Sequence, residues 1–127
     1  MSFGEAVSSV FRNYATFSGR ARRSEYWYFT LFNVLVMFVF SLLTAIVGDS
    51  AFSSILKILN GLYSLAVIIP GLAVCWRRLH DIGKSGGYYF IVLVPIVGFI
   101  LLIVWFCQDS QPGVNMYGPN PKEKYYY

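Results

Sequence analysis

Three long apolar runs set the pattern of this chain: Tyr26 to Val47, Ile58 to Trp76 and Tyr88 to Cys107, each about 20 residues without a charged side chain. A helix of that length rises roughly 30 Å, the thickness of a bilayer's hydrocarbon core. No water reaches that core, so every backbone N–H and C=O must be paired within its own segment, which makes each run a helix. Helices buried in a soluble bundle would carry a polar stripe, and these runs carry none. Ahead of the first run, Phe3, Val7, Val10, Phe11 and Tyr14 share an arc of about 100° on a helical wheel, with Glu5, Ser8, Ser9, Arg12 and Asn13 on the remainder. Such a helix lies on the membrane surface with its apolar face in the headgroup boundary. The expected fold is therefore an all-α membrane protein forming one membrane domain over residues 1–127. It has three transmembrane helices at 26–47, 58–76 and 88–107, preceded by a short amphipathic interfacial helix at 2–14 and followed by a polar tail at 108–127.

Composition agrees: 57% of the residues are hydrophobic, 19% aromatic and only 13% charged, far from an ordinary soluble domain. The few charges are unevenly placed. Arg12, Arg20, Arg22 and Arg23 precede the first run and Arg77, Arg78 and Lys84 follow the second, against Lys57, Lys122 and Lys124 on the other side. The positive-inside rule puts the N-terminus and the 77–87 loop in the cytoplasm, and three crossings then leave the C-terminal tail periplasmic or extracellular, while a tilted or re-entrant third segment would move it. Tyr26, Trp27, Tyr28, Trp76, Tyr88 and Tyr89 form an aromatic belt on the cytoplasmic side, with Trp105 marking the other face. Arginines at that surface favour anionic headgroups by about 1 kcal/mol each. The first run is longer than the apolar core of a cleavable signal, about 7 to 15 residues, and reads as a signal anchor. Cys75 and Cys107 fall at opposite ends of antiparallel helices, too far apart for a disulfide.

Inside the runs, Pro70-Gly71 and Pro95 with Gly98 should bend their helices, because proline removes a backbone hydrogen bond and leaves a carbonyl for neighbours to satisfy. Ser41 with Ala45 and Thr44 with Gly48 are small residues at the spacing that permits close helix approach, and Asn60 with Ser64 offers hydrogen bonds across an interface. Kinked helices and buried amides also occur in transport pathways. Yet no Asp, Glu, Lys, Arg or His lies near the middle of any run, where ion relays place one. Packing is the stronger reading, and a subunit of an oligomeric channel or transporter is the alternative.

The densest polar chemistry lies at Arg77-Arg78-Leu79-His80-Asp81 and the following Gly83-Lys84-Ser85-Gly86-Gly87. The latter fits the G-x-S-x-G pattern, but a nucleophile elbow needs a strand before the serine and its acid and histidine after it, whereas His80 and Asp81 come first. The same residues resemble the end of a Walker A loop whose first glycine would fall on Arg78, with no strand feeding it. His80-Asp81 lacks the further histidines of a metal-dependent phosphohydrolase, and one histidine without a CxxC pair cannot build a zinc site. No catalytic residue, metal or cofactor is assigned, and nothing points to nucleic acid. A structural reading fits better: Asp81 accepts from an arginine fork and Glu25 pairs with another. The candidate site is thus a charged cytoplasmic cluster of Arg20, Arg23, Glu25, Arg77, Arg78, His80 and Asp81, with glycines turning the chain into the third run.

These residues sit in a wider pattern. Phe17-Ser18-Gly19-Arg20, Arg23, Glu25-Tyr26-Trp27, Arg77-Arg78-Leu79-His80-Asp81 with Gly83, Ser85 and Gly86, Pro95-Ile96-Val97-Gly98, and Gly113, Asn115, Tyr117-Gly118-Pro119 and Pro121 together resemble the bacterial domain-of-unknown-function family 805. The resemblance spans nearly the whole chain and implies a small multi-spanning protein of the bacterial inner membrane. It carries no reaction, so it assigns no catalytic role. Lys122-Glu123-Lys124 and Tyr125-Tyr126-Tyr127 extend past the pattern. The expectation is a non-enzymatic membrane or interaction component, in contact with the bilayer and its anionic headgroups, with a second copy or another membrane protein as partner.

Overall fold

A computed structural model describes residues 2–121. The readings placed on Lys122, Lys124 and Tyr125 to Tyr127 lie outside the described residues. In chain order the elements are α1 (Phe3–Arg12), α2 (Arg23–Val47), α3 (Ala51–Asp81), a 3-10 helix (Gly86–Leu93) and α4 (Val97–Cys107).

Helix α1 starts where Ser2 accepts a hydrogen bond from the Glu5 backbone N–H, which satisfies one of the orphan donors of the first turn. Its Ala6 and Val10 are fully buried, and Phe3 and Phe11 set their rings against Tyr28, Phe29 and Phe32 of α2. The amphipathic helix is therefore docked on the bundle. Its apolar arc divides between that contact and an outer edge where Phe3, Phe11 and Tyr14 remain exposed.

Helices α2 and α3, with 25 and 31 residues, are among the described residues the two long and apolar enough to cross a membrane. They rise about 37 and 46 Å, more than the roughly 30 Å of hydrocarbon they must span. Gly48, at φ +61°, turns one into the other, and most of their apolar side chains face outward, as lipid-facing surfaces do. Across their interface the Tyr63 hydroxyl donates to Asn33 Oδ1 at 2.7 Å. Other polar groups look inward to their own helix: Ser64 donates to the Asn60 carbonyl, and Thr44 to that of Phe40. Asn60 and Ser64 thus do not bridge helices, and Ser41 and Ala45 stay exposed instead of forming a close contact.

Helix α3 runs unbroken through Pro70. The missing proline N–H frees the carbonyl of Ala66, one turn back, and the Tyr14 hydroxyl donates to it at 2.7 Å. The segment after α1 thereby latches onto a membrane helix at the point where proline opened it. α3 also continues beyond its apolar run, which ends at Trp76. Arg77, Arg78, His80 and Asp81, expected in a loop, occupy its last turns. Gly83, at φ +82°, then closes the helix while the N–H groups of Gly83 and Lys84 return to the carbonyls of His80 and Leu79.

The third apolar run departs most from expectation, because it does not form one helix over 88–107. The 3-10 helix Gly86–Leu93 and α4 each rise about 16 Å, half a bilayer core, and they fold back on one another as a re-entrant hairpin. The reversal is a tight turn centred on Ile96 (φ +65°, ψ −63°), where Val97 N–H bonds the Pro95 carbonyl at 2.7 Å. Proline brings no N–H to this turn, so the tip has one donor fewer to satisfy at membrane depth. The two arms touch at Gly98, whose absent side chain lets the Ile91 carbonyl come close. At the other end Trp76 lies against Gly86, where a Cβ would collide with the indole.

The hairpin returns α4 to the end of the bundle from which it left. Leu79, Leu102 and Phe106 are buried together there, with Tyr26, Trp27, Cys75 and Trp105 packed around them. Trp105 therefore does not mark the opposite face. It sits beside Tyr88 and Lys84, with the lysine 5.1 Å from its ring. Cys75 and Cys107, both free thiols, are not separated by the membrane but share this end. Residues 108–121 likewise lie at the same end as Arg20. Among the described residues α2 and α3 are the helices long and apolar enough to cross a membrane, and the third run, folded back on itself, does not add a third such helix.

Candidate functional site

The charged residues of that end form two buried centres. In the first, Asp81 is fully buried and accepts from Arg20 Nε at 2.9 Å on Oδ1, and from Arg78 Nη1 at 2.9 Å and Ser110 Oγ at 2.6 Å on Oδ2. The side chains of Arg20 and Arg78 are 1% and 0% exposed. Arg20 spends all five of its N–H groups: besides Asp81 Oδ1 it reaches the carbonyls of Gly113, Gly118, Asp81 and Gln111. Arg78 donates to the carbonyls of Phe106 and Gln108, groups that the C-terminus of α4 leaves without helical partners. A cation is also favoured there by the helix dipole. Burial pushes the Asp81 carboxyl above its usual range, opposed by the Ser110 hydroxyl and both arginines. Burial lowers the Arg78 guanidinium, opposed chiefly by Asp81.

The second centre joins α1, α2 and α3. Glu25, in the first turn of α2 where a negative charge suits the helix dipole, accepts from Arg77 Nη1 at 2.7 Å and from the Ser9 hydroxyl. Arg77 Nε donates to the Thr16 carbonyl at 3.1 Å, and the Arg77 carbonyl accepts from Ala21 N–H at 3.0 Å. Both members of the pair are about 95% buried.

His80 stands between the centres and the tail. Its Nδ1 is 2.9 Å from the Gly19 carbonyl, which can only accept, so that nitrogen carries the proton. Its ring stacks on Tyr117 with centroids 3.9 Å apart and 1° between planes. The His80 carbonyl accepts from Asn115 Nδ2, while Asn115 Oδ1 accepts from Tyr117 N–H. Burial lowers the imidazole below its ordinary value, against the hydrogen bond to Gly19. Arg23 is peripheral: half exposed, it meets Asp109 at 3.9 Å and the Cys107 carbonyl at 3.1 Å.

Of the candidate residues, Arg20, Arg78, Asp81 and His80 are thus brought together with the tail, Glu25 and Arg77 form a neighbouring pair, and Arg23 lies at the rim. Ser9, Thr16, Ser110 and Gln111 complete these centres and were not singled out as members. Ser9 has the plainest signal: its place on the polar side of α1 faces Glu25 instead of water. Gly113, Asn115, Tyr117 and Gly118, which stand in the sequence only as part of a motif, form the turn that offers carbonyls to Arg20 and a ring to His80. Among the described residues no group of three or more His, Cys, Asp or Glu side chains could hold a metal ion.

Two apolar spans, a re-entrant hairpin and a charged platform at one end define a small helical membrane protein. The chain belongs to the family described as "Protein of unknown function (DUF805)", whose model matches residues 14–119. It is similar to Inner membrane protein YhaI of Escherichia coli (strain K12), 44% identical over 114 residues that cover 90% of this chain and 92% of that protein. It is also similar to Inner membrane protein YhaH of the same strain, 42% identical over 113 residues, 89% of this chain and 93% of that protein. The chain is accordingly a bacterial inner-membrane protein. No solved structure matches it.

Proposed function

We propose that this protein is a non-enzymatic component of the inner membrane, oriented with its charged end in the cytoplasm, where it meets anionic headgroups and a protein partner. The observation that carries the reading is how the polar groups are spent. Arg20 and Arg78 are spent on Asp81 and backbone carbonyls, and Glu25 is held by Arg77 and Ser9, which is the behaviour of a lock holding the helices, tail and hairpin together. Arg12 and Arg23 remain exposed at the same end, available to phosphates. The excess of arginine there supports a cytoplasmic placement. In this reading the tail, with Gln111, Gly113 and Gly118 beside Arg20, lies on the same side as α1. Fusions of alkaline phosphatase and a fluorescent protein to each terminus test this: fluorescence without phosphatase activity is expected at both, and phosphatase activity at the C-terminus would overturn it. Cross-linking in native membranes should capture a complex, and recovery of monomer alone under conditions that trap known complexes would count against a partner.

A second reading, a subunit of an oligomeric channel, is favoured by the hairpin. Irregular backbone at membrane depth persists where protein or water covers it, yet Leu93 and Ile96 are 78% and 76% exposed in the single chain. Proteoliposomes that pass no common ion or small solute would remove this reading.

A further inference from the structure

Beside the Arg77–Glu25 pair, α1, the 18–22 segment and the last turns of α3 line a half-open cavity of about 240 Å³. Its wall includes Ser9, Asn13, Ser18, Arg22, Glu25 and Arg77. Arg77 is 5% exposed, and while Nε and Nη1 have acceptors, its Nη2 is buried with none. The other buried side-chain atoms without a partner among the described residues, Ser24 Oγ and Asn60 Oδ1, are neutral. A charged donor left dry is costly, and an acceptor in the cavity toward which the guanidinium turns removes the cost. The charge balance selects the acceptor. Glu25 offsets Arg77, and Asp81 is shared between Arg20 and Arg78, so Arg22 adds to a surplus of positive charge in the wall. Both Glu25 oxygens are already held, one by Ser9 and one by Arg77. The cavity is smaller than the roughly 300–1,000 Å³ of drug-sized ligand sites, and it lies just past the end of the apolar run, at headgroup level.

We propose that this cavity binds one phosphate oxyanion, with Arg77 Nη2 donating a hydrogen bond, Arg22 supplying charge and Ser18 and Asn13 forming the polar wall. The proposal rests on the reading that the charged end meets anionic headgroups, and it narrows that contact to a single built site. The phosphate comes from a phospholipid headgroup or from free phosphate, and the shared chemistry is the same.

The test uses the full chain in detergent, followed by thermal unfolding and native mass spectrometry. Its arms are phosphatidylglycerol, inorganic phosphate against chloride at matched ionic strength, and a neutral galactolipid. Wild type should bind phosphatidylglycerol, inorganic phosphate or both, which names the source, and should not respond to the galactolipid. Arg22→Gln removes the surplus charge, and Ser18→Glu places a tethered carboxylate in the cavity; each should weaken binding about tenfold. Arg12→Gln, an exposed arginine outside the cavity, should change it by less than about twofold because its charge is screened. Equal loss in Arg12→Gln and Arg22→Gln would overturn the site while leaving a diffuse headgroup contact standing. Failure of wild type to respond to either anion would overturn both.

Discussion

Alanine at Gly98 should destabilise the protein by about 2 kcal/mol, and the sign of its effect separates a hairpin from a straight third span. A Cβ at this position would stand 1.7 Å from the Ile91 carbonyl oxygen and 2.6 Å from its carbon, both backbone atoms that no rotamer change can move. An ordinary C···O contact is about 3.3–3.6 Å, so the arms of the hairpin must part by roughly 1.7 Å. Overpacking of this kind costs about 1–3 kcal/mol, toward the upper end when backbone must shift. The better helix propensity of alanine returns up to about 1 kcal/mol. In a continuous helix over 88–107 the two residues would be about two turns, or roughly 10 Å, apart, and only that gain would remain. Unfolding of the full chain in mixed micelles reads the difference. Gly61→Ala is the internal control, since a Cβ there meets nothing within 4 Å. It should be neutral or stabilising by up to about 1 kcal/mol. A Gly98→Ala protein as stable as Gly61→Ala would refute the hairpin.

Other consequences follow from the same contacts. Tyr14→Phe should cost about 1 kcal/mol by leaving the Ala66 carbonyl unpaired, and the cost should shrink in a Pro70→Ala background, where the restored N–H takes that carbonyl; equal costs in both backgrounds would break the link. Arg20→Lys should cost about 3 kcal/mol in the same unfolding assay, because an ammonium cannot serve five acceptors laid out for a guanidinium. Arg23→Lys, half exposed, should cost less than about 1 kcal/mol, and similar losses at both positions would discount the buried lock. His80 should titrate below its ordinary value of about 6.5 by NMR. The folded state then binds fewer protons than the unfolded one, so stability should be complete above pH ~6.5 and fall as pH drops from there toward the folded value. His80→Asn should flatten that slope, and an unchanged slope would assign it to another group.

The apolar runs and the arginine pattern pointed to the membrane, to two apolar spans and to charged residues that gather at one end, Arg20, Glu25, Arg77, Arg78, His80 and Asp81 among them, because hydropathy and charge are carried by side chains the sequence spells out. The reversal was harder to see. Tyr88 to Cys107 has the length of a span, and length alone carries no direction; Pro95 and Gly98 signalled a bend, while nothing in the residue name Ile96 announces a positive φ. The acceptors around Arg20 and Arg78 were hidden for a different reason. Most are backbone carbonyls, which every residue has, so composition cannot mark the ones that will be used.

These two omissions turn out to be one. Arg20 and Arg78 are buried against a single carboxylate, and one Asp81 cannot satisfy both guanidinium groups or balance both charges. Beyond the Asp81 carboxylate and carbonyl, the acceptors these donors reach are the carbonyls of Phe106, Gln108, Gln111, Gly113 and Gly118, all of which come to this end because the third run turns back at Ile96. Had the run crossed, those donors would be buried and bare, and the charged end would have to open to water. The hairpin and the platform therefore require each other, and Gly98, far from any charge, becomes as much a part of the platform as Asp81.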